Sequence, residues 1–322
     1  MLTKSRGTSL GRAITGSLLI ALLIAVAAGA AKIPAPSVST GGTSNITYST
    51  AILYGYINPH GQVTNYYFQY GPSGNFGSQS PLAPAGNATS TTKVSQAIPG
   101  LSPGLTYHYR IVAISPAGRT NGQERSFRTP KVPLSLAIVG APNPDVFGSP
   151  FLVEGSLSGT GASTREIVLQ ANPFPYTAGF KTLGNPEVTN AAGGFSFPVL
   201  NLAENSQLRV MTVGAPVVVS PVVVENVAVS VTFHVRRTHH HGVVRFYGTV
   251  TPTVAGALVG FQLLKPGHKS VNQGGTVVKS SSATVSSFSR RVHLRHRGVY
   301  RALVKVANGA YVSAYSLPIV VR

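Results

Sequence analysis

From residue 49 onward, apolar and polar side chains alternate with a period of two. Ala51, Leu53, Gly55 and Ile57 fall on one parity of the first run, Tyr66, Phe68 and Tyr70 on one parity of the next, and Tyr107, Tyr109, Ile111 and Ala113 on one parity of a third. Successive side chains of a strand point to opposite faces, so each run buries one face and wets the other. No uninterrupted helical period occurs after the first thirty residues. The runs are broken by turn formers, NPHG at 58–61 and GPSG at 71–74. Only 10% of the residues are charged, and 35 Gly and 23 Pro punctuate the chain. That composition suits many short strands joined by tight turns. The chain is therefore expected to be all-β, and its 322 residues suit two or three domains.

The stretch GLSPGLTYHYRIVAIS at 100–115 adds a specific device. Leu101, Pro103 and Tyr107 place a tyrosine just inside a strand, after a turn set by Pro103 and Gly104. Its ring can be buried while its hydroxyl bonds back to the turn backbone, the tyrosine corner of Greek-key sandwiches. With AILYGYINPHG, TNYYFQYG and RTNGQERSFRTP in order around it, the segment 36–130 resembles a fibronectin type III domain of a bacterial secreted protein. The resemblance implies an extracellular scaffold or binding module. The chain departs from it in having no Trp, so tyrosines are expected to fill that core.

Two prolines bracket a linker at 129–133, and beyond it the chain repeats itself. GSPFLVEGSLS aligns with GVVRFYGTVT, bringing Gly155 onto Gly248. REIVLQANP matches LVGFQLLKP, GGFSFPVLNL matches SSFSRRVHL with Phe195 on Phe288, and QLRVMTVG matches VYRALVKVANG. The offset of 92 to 93 residues is one sandwich domain, longer than a solenoid unit of ~20–50 residues. The organisation expected is three tandem β-sandwiches: the fibronectin type III-like domain at 36–130 and two domains with a weaker immunoglobulin-like resemblance at 133–227 and 228–322. The last boundary is marked by a fresh alternation of Val229, Val231, Phe233 and Val235.

The N-terminal segment reads differently. Lys4, Arg6 and Arg12 precede an apolar run at 18–31 that ends in Ala28, Gly29 and Ala30. Basic leader, apolar stretch and small-residue site make a secretory signal over 1–31. The alternative is an uncleaved anchor, for which 14 residues are short of the ~20 that span a bilayer. Either places the rest of the chain outside the cytoplasm, extracellular or at the cell surface, with a membrane reached only through this segment.

Most catalytic and cofactor chemistry lacks its residues. There is no cysteine, which excludes disulfides, thiolate metal sites and cysteine nucleophiles. The seven acids form no close pair in sequence, and the one G-x-S-x-G string lies within the signal segment. Phosphate-binding loops, H-E-x-x-H and calcium-loop motifs do not occur. The run RRTHHHG at 236–242 sets His239 and His241 on one side of an extended segment, where they could hold a transition metal, but Gly242 marks it as a polar turn and neighbouring arginines repel a cation. The reading is no enzyme, no cofactor and no metal.

Charge is the anomaly. The formal net charge is +19, spread unevenly. Residues 133–229 hold three Lys/Arg against six acids, whereas residues 230–322 hold thirteen Lys/Arg, no acid and seven of the nine histidines. Such a domain attracts anionic polymers at long range. In FSRRVHLRHRG, the apolar parity Phe288, Val292 and Leu294 is expected to face the core, and Arg291, His293 and Arg295, extended by Arg297, to face outward as a basic stripe. The expected partner is an anionic cell-envelope polymer or polysaccharide. Outward aromatics to stack on bases are not evident, which speaks against specific nucleic-acid binding. The function expected is a non-catalytic adhesion or envelope-scaffold role. The alternatives are an accessory polysaccharide-binding protein, or an enzyme whose site would gather Asp145 or a Glu with a histidine.

Overall fold

The computed structural model describes residues 33–322, so the signal segment and its cleavage site lie outside the described residues. The chain is all-β, in tandem two-sheet sandwiches. The first sandwich sets Thr50–Asn58 between Ser37–Ser44 and Thr92–Pro99 in one sheet, and builds the other around Thr64–Gly71 and Thr106–Ser115. The second sets Phe151–Ser158 between Ser135–Gly140 and Gly194–Val199, with Glu166–Pro173 against Ser206–Thr212 in the facing sheet. The third repeats that plan with Val243–Thr251 beside Ser286–His293, and Leu258–Leu264 beside Gly298–Lys305. Among the described residues, no helix is long and apolar enough to cross a membrane.

Alternation becomes burial strand by strand. In Ser206–Thr212 every second residue is buried, from Ser206 through Leu208 and Val210 to Thr212. The second core is mainly aliphatic, with Val153, Leu157, Ile167, Leu169, Leu208 and Val210 nearly solvent-free. The third is aromatic: the Phe233 ring stacks on Phe261 at 5.8 Å, and Phe246 lies 5.1 Å from Phe261 and 5.4 Å from Tyr300. In the first sandwich tyrosine is used as the sequence suggested. Tyr109 is buried and donates its hydroxyl to the Gly41 carbonyl at 2.7 Å. Parity alone misses Tyr67 and Val112, which are buried on the outer face of these strands.

The aligned pair of glycines has a mechanical reason. Gly155 sits directly opposite Phe195, and Gly248 directly opposite Phe288, across neighbouring strands. A Cβ on either glycine would run into the phenylalanine ring and into a carbonyl oxygen of the strand on the other side, Ala137 or Thr232. Glycine is what lets three strands and one large ring share that spot.

Two further devices recur in all three sandwiches. Gln69, Gln170 and Gln262 each accept a hydrogen bond from the Nε of an arginine on the adjacent strand, Arg110, Arg209 and Arg301, at 2.9, 2.8 and 3.0 Å. Each guanidinium also lies over an aromatic ring: Phe76, Phe180 and Tyr315, at 4.8, 4.1 and 3.7 Å. The stacked, half-buried arginine thus clamps two strands on the outer face. The second device is a buried serine, Ser80, Ser220 or Ser316, whose Oγ accepts the backbone N–H of Phe68, Val210 or Ala302 at 2.8, 2.9 and 2.9 Å. The serine's own N–H donates back to the carbonyl of the same residue. A side chain so completes the ladder where an edge strand departs, and no buried amide is left bare.

Leu101 and Tyr107 are buried beside a half-buried Pro103, and the Tyr107 ring stacks on Phe127 at 5.7 Å. The hydroxyl accepts the Ser102 N–H at 2.8 Å. Tyr107→Phe keeps the ring and loses this bond, so it is expected to lower stability by about 1 kcal/mol. Denaturant melts of the full chain check this; an unchanged midpoint removes the hydroxyl from the account.

The second and third sandwiches are joined by a segment that is itself paired on both sides. Asp145 and Phe147 of the second donate their N–H groups to the carbonyls of Asn226 and Ala228, while Val312 of the third donates to Val227 and accepts from Val229. Asn205 fastens the same place: its Oδ1 accepts the Val227 N–H at 2.7 Å, its Nδ2 donates to the Gly309 carbonyl at 2.8 Å, and its N–H donates to the Ala310 carbonyl at 2.7 Å. Tyr311 packs against both cores.

Candidate polyanion-binding face

The basic residues of the third sandwich are organised by strand register. Val243–Thr251 lies between His234–Arg237 and Ser286–His293. Its inward parity carries Val244, Phe246, Gly248 and Val250, all buried. The outward parity is set by the same alternation, and register aligns it with its neighbours: Arg236 is directly opposite Arg245, and Arg245 directly opposite Arg291. All three are exposed. Adjacent strands lie ~4.8 Å apart, so three guanidinium stems cross roughly 10 Å of sheet in one row. Arg245 is steadied by donating from Nε to Ser289 Oγ at 2.6 Å.

Like charges directly opposite each other destabilise a sheet. With no acid after Glu225, the third sandwich has no internal means of offsetting this row.

The expected stripe is not continuous. Arg291 and His293 stand on the strand, exposed, but the strand ends at His293. Arg295 and Arg297 belong to the turn that follows, also exposed, and Leu294 packs partly against the core between them. These turn arginines line a cleft of about 820 Å³ with Arg237, His296 and the histidines at 239–241. Strand parity had assigned one basic line where there are two groups: a row across the sheet, and a histidine-rich cleft at its end. Arg236 and Arg245 were missed because register between strands is not written in any single strand. Arg290 has the inward phase and escapes it: its guanidinium donates to the Gly275 carbonyl, at the rim of the facing sheet.

The histidine run forms a turn. Gly242 has φ +72°, the Val243 N–H donates to the His240 carbonyl at 3.1 Å, and Thr238 Oγ1 donates to the Val243 carbonyl at 2.7 Å. Among the described residues, no group of three or more His, Asp or Glu is placed to hold a metal. One expectation needs correcting. An outward aromatic does accompany the row: Tyr247 is 39% exposed, with the His234 ring 5.5 Å away on the neighbouring strand.

The structure also brings together two acids that are 80 positions apart. Asp145 and Glu225 are 5% and 1% exposed, beside the joining segment of the second sandwich. Burial pushes the Glu225 carboxyl up to about 7, with the charge of Asp145 adding to the rise, and burial raises Asp145 as well. Both carboxyl groups are shielded from bulk solvent.

No protein-family model matches the chain, and no curated protein matches it. Among solved structures, it is similar to a tetra-tandem repeat from the extending region of a large adhesion protein, at 14% identity and a TM-score of 0.36, covering 89% of this chain and 74% of that one. It is also similar to the chicken CNTN1 FN1–FN3 domains, at 14% identity and 0.27, covering 88% and 98%. Bovine butyrophilin is similar at 10% identity and 0.31, covering 59% and 99%.

Proposed function

We propose that the chain is a non-catalytic, secreted or surface-attached scaffold of tandem β-sandwiches, and that its third sandwich holds an anionic envelope polymer. The observation that carries this is the row Arg236–Arg245–Arg291, three exposed like charges in register on one sheet without an acid in the domain. A linear polyanion laid across the strands meets all three at once. The cleft lined by Arg237, Arg295, Arg297 and the histidines extends the basic surface past the strand ends.

The full chain is expected to be retained on a polyanionic matrix and released as salt rises, because ions screen exposed charges beyond ~8 Å at physiological strength. Exposed charge pairs contribute roughly 0.2–1 kcal/mol each. Changing Arg236, Arg245 and Arg291 together to Ser is therefore expected to weaken binding about tenfold. A triple variant that elutes with the wild type refutes the row as the site. A second reading is favoured by Tyr247: a neutral polysaccharide stacking on that ring would bind independently of salt and be lost in Tyr247→Ala.

A further inference from the structure

We propose that Asp145 and Glu225 form a binding site for a divalent cation of calcium type, set against the segment that joins the second and third sandwiches. The two carboxylates converge although they come from opposite ends of the second sandwich. Asp145 opens the short strand that pairs in parallel with Val227–Ala228, placing it opposite Val227, two positions past Glu225. The Asp145 backbone N–H donates to the carbonyl of Asn226, the residue after Glu225, at 2.8 Å. Each acid is more than nine-tenths buried, and each keeps one carboxylate oxygen, Asp145 Oδ2 and Glu225 Oε1, without a hydrogen-bond partner.

Buried anions of this kind demand compensation, since an unpaired charge in the interior is among the costliest features a fold can carry. A chain with 26 Lys and Arg leaves both oxygens unpaired. A proton neutralises one acid and leaves the second charged. A hard divalent cation takes both free oxygens and neutralises both charges. Residues next to the two acids carry oxygens of the kind such an ion takes: the Asn226 carbonyl, which accepts the Asp145 N–H, and Asn143 Oδ1, which accepts the Asn226 side-chain amide at 2.9 Å. Calcium takes six to eight oxygens, including carboxylates, amide carbonyls and water. Closed carboxylates hold the ion only while the junction is packed, so binding registers as stability of the joined sandwiches.

The test is a thermal melt of the full chain in about 10 mM calcium chloride, against sodium chloride at equal ionic strength. Extracellular calcium modules bind at about 0.1–1 mM. At that affinity the transition of the joined sandwiches is expected to rise by about 5 °C. Calorimetric titration is expected to give one calcium per chain. In the near-isosteric Asp145→Asn, Glu225→Gln double variant, which relieves the buried charge and so folds, the calcium increment is expected to vanish; Glu225→Gln alone serves as the second variant. A wild type with no calcium increment, or variants that keep it, overturns the site.

Discussion

Gly248→Ala is expected to destabilise the third sandwich by about 3 kcal/mol or more, beyond the usual range for overpacking, because the added methyl meets backbone as well as side chain. The new Cβ would lie 2.6 Å from Phe288 Cζ and overlap the Thr232 carbonyl oxygen of the opposite neighbour. The Phe288 ring is 3% exposed and its space is bounded by Phe233 and Phe261. The Thr232 backbone is held in place: its N–H donates to the Thr249 carbonyl at 3.0 Å, one residue past Gly248, and its Oγ1 accepts the Thr249 N–H at 2.8 Å. Gly260→Ala in the facing sheet is the control. No atom lies within 4 Å of its Cβ position, so the same methyl is expected to change stability little. Denaturant midpoints of the two variants decide the matter. Equal midpoints would mean that the glycine–phenylalanine contact is not what the repeat preserves.

Asn205→Ala is expected to cost about 3 kcal/mol and to loosen the joint between the second and third sandwiches. The side chain is the partner of the buried Val227 N–H and of the Gly309 carbonyl. Removing it leaves the buried Val227 N–H unsatisfied, at roughly 1–3 kcal/mol, and loses the bond to the carbonyl of the exposed Gly309, at roughly 0.5–1.5 kcal/mol more. The Asn205 backbone bond to Ala310 survives the substitution. Proteolysis within 226–229 and hydrogen exchange at Val227 are expected to quicken in the variant well before either core exchanges. Unchanged exchange at Val227 would assign the joint to Tyr311 and the paired segment instead.

What could be read in the chain beforehand is what one strand encodes by itself. Alternation, turn formers and the tyrosine motif each act within about ten residues, and they are enough for an all-β chain of sandwiches. The duplicated Gly and Phe were visible as an alignment, and their meaning emerged only when register set Gly155 against Phe195 and Gly248 against Phe288. The arginine row shows where such reading stops. Arg291 was recognised as outward from its own strand, but Arg236 and Arg245 join it through cross-strand pairing over 46 and 9 residues of separation, to Arg291 and Arg236 respectively. Arg295 and Arg297 were placed by extending a parity that lapses where the strand ends. The buried serines and the Asp145–Glu225 pair carried no local signal, since a single serine, or an isolated acid, looks the same exposed as buried. The glutamine–arginine clamps were within reach: FQYG, LQAN and FQLL recur ahead of YRIV, LRVM and YRAL in all three sandwiches.

Tyr311 sits T-shaped against Phe147 at 6.2 Å while also packing, partly buried, against the core of its own sandwich, and Gly309 beside it gives the Phe174 ring its room. Modular proteins evolve by shuffling units whose surfaces are complete without their neighbours. The second and third sandwiches do not meet that condition singly. Cut apart, one is left with an open slot at Phe147 and Phe174, and the other with an exposed tyrosine on a glycine loop. The exchangeable cassette in this chain is the pair, and recombination that respects the 93-residue repeat as its unit would produce two damaged halves in place of two modules.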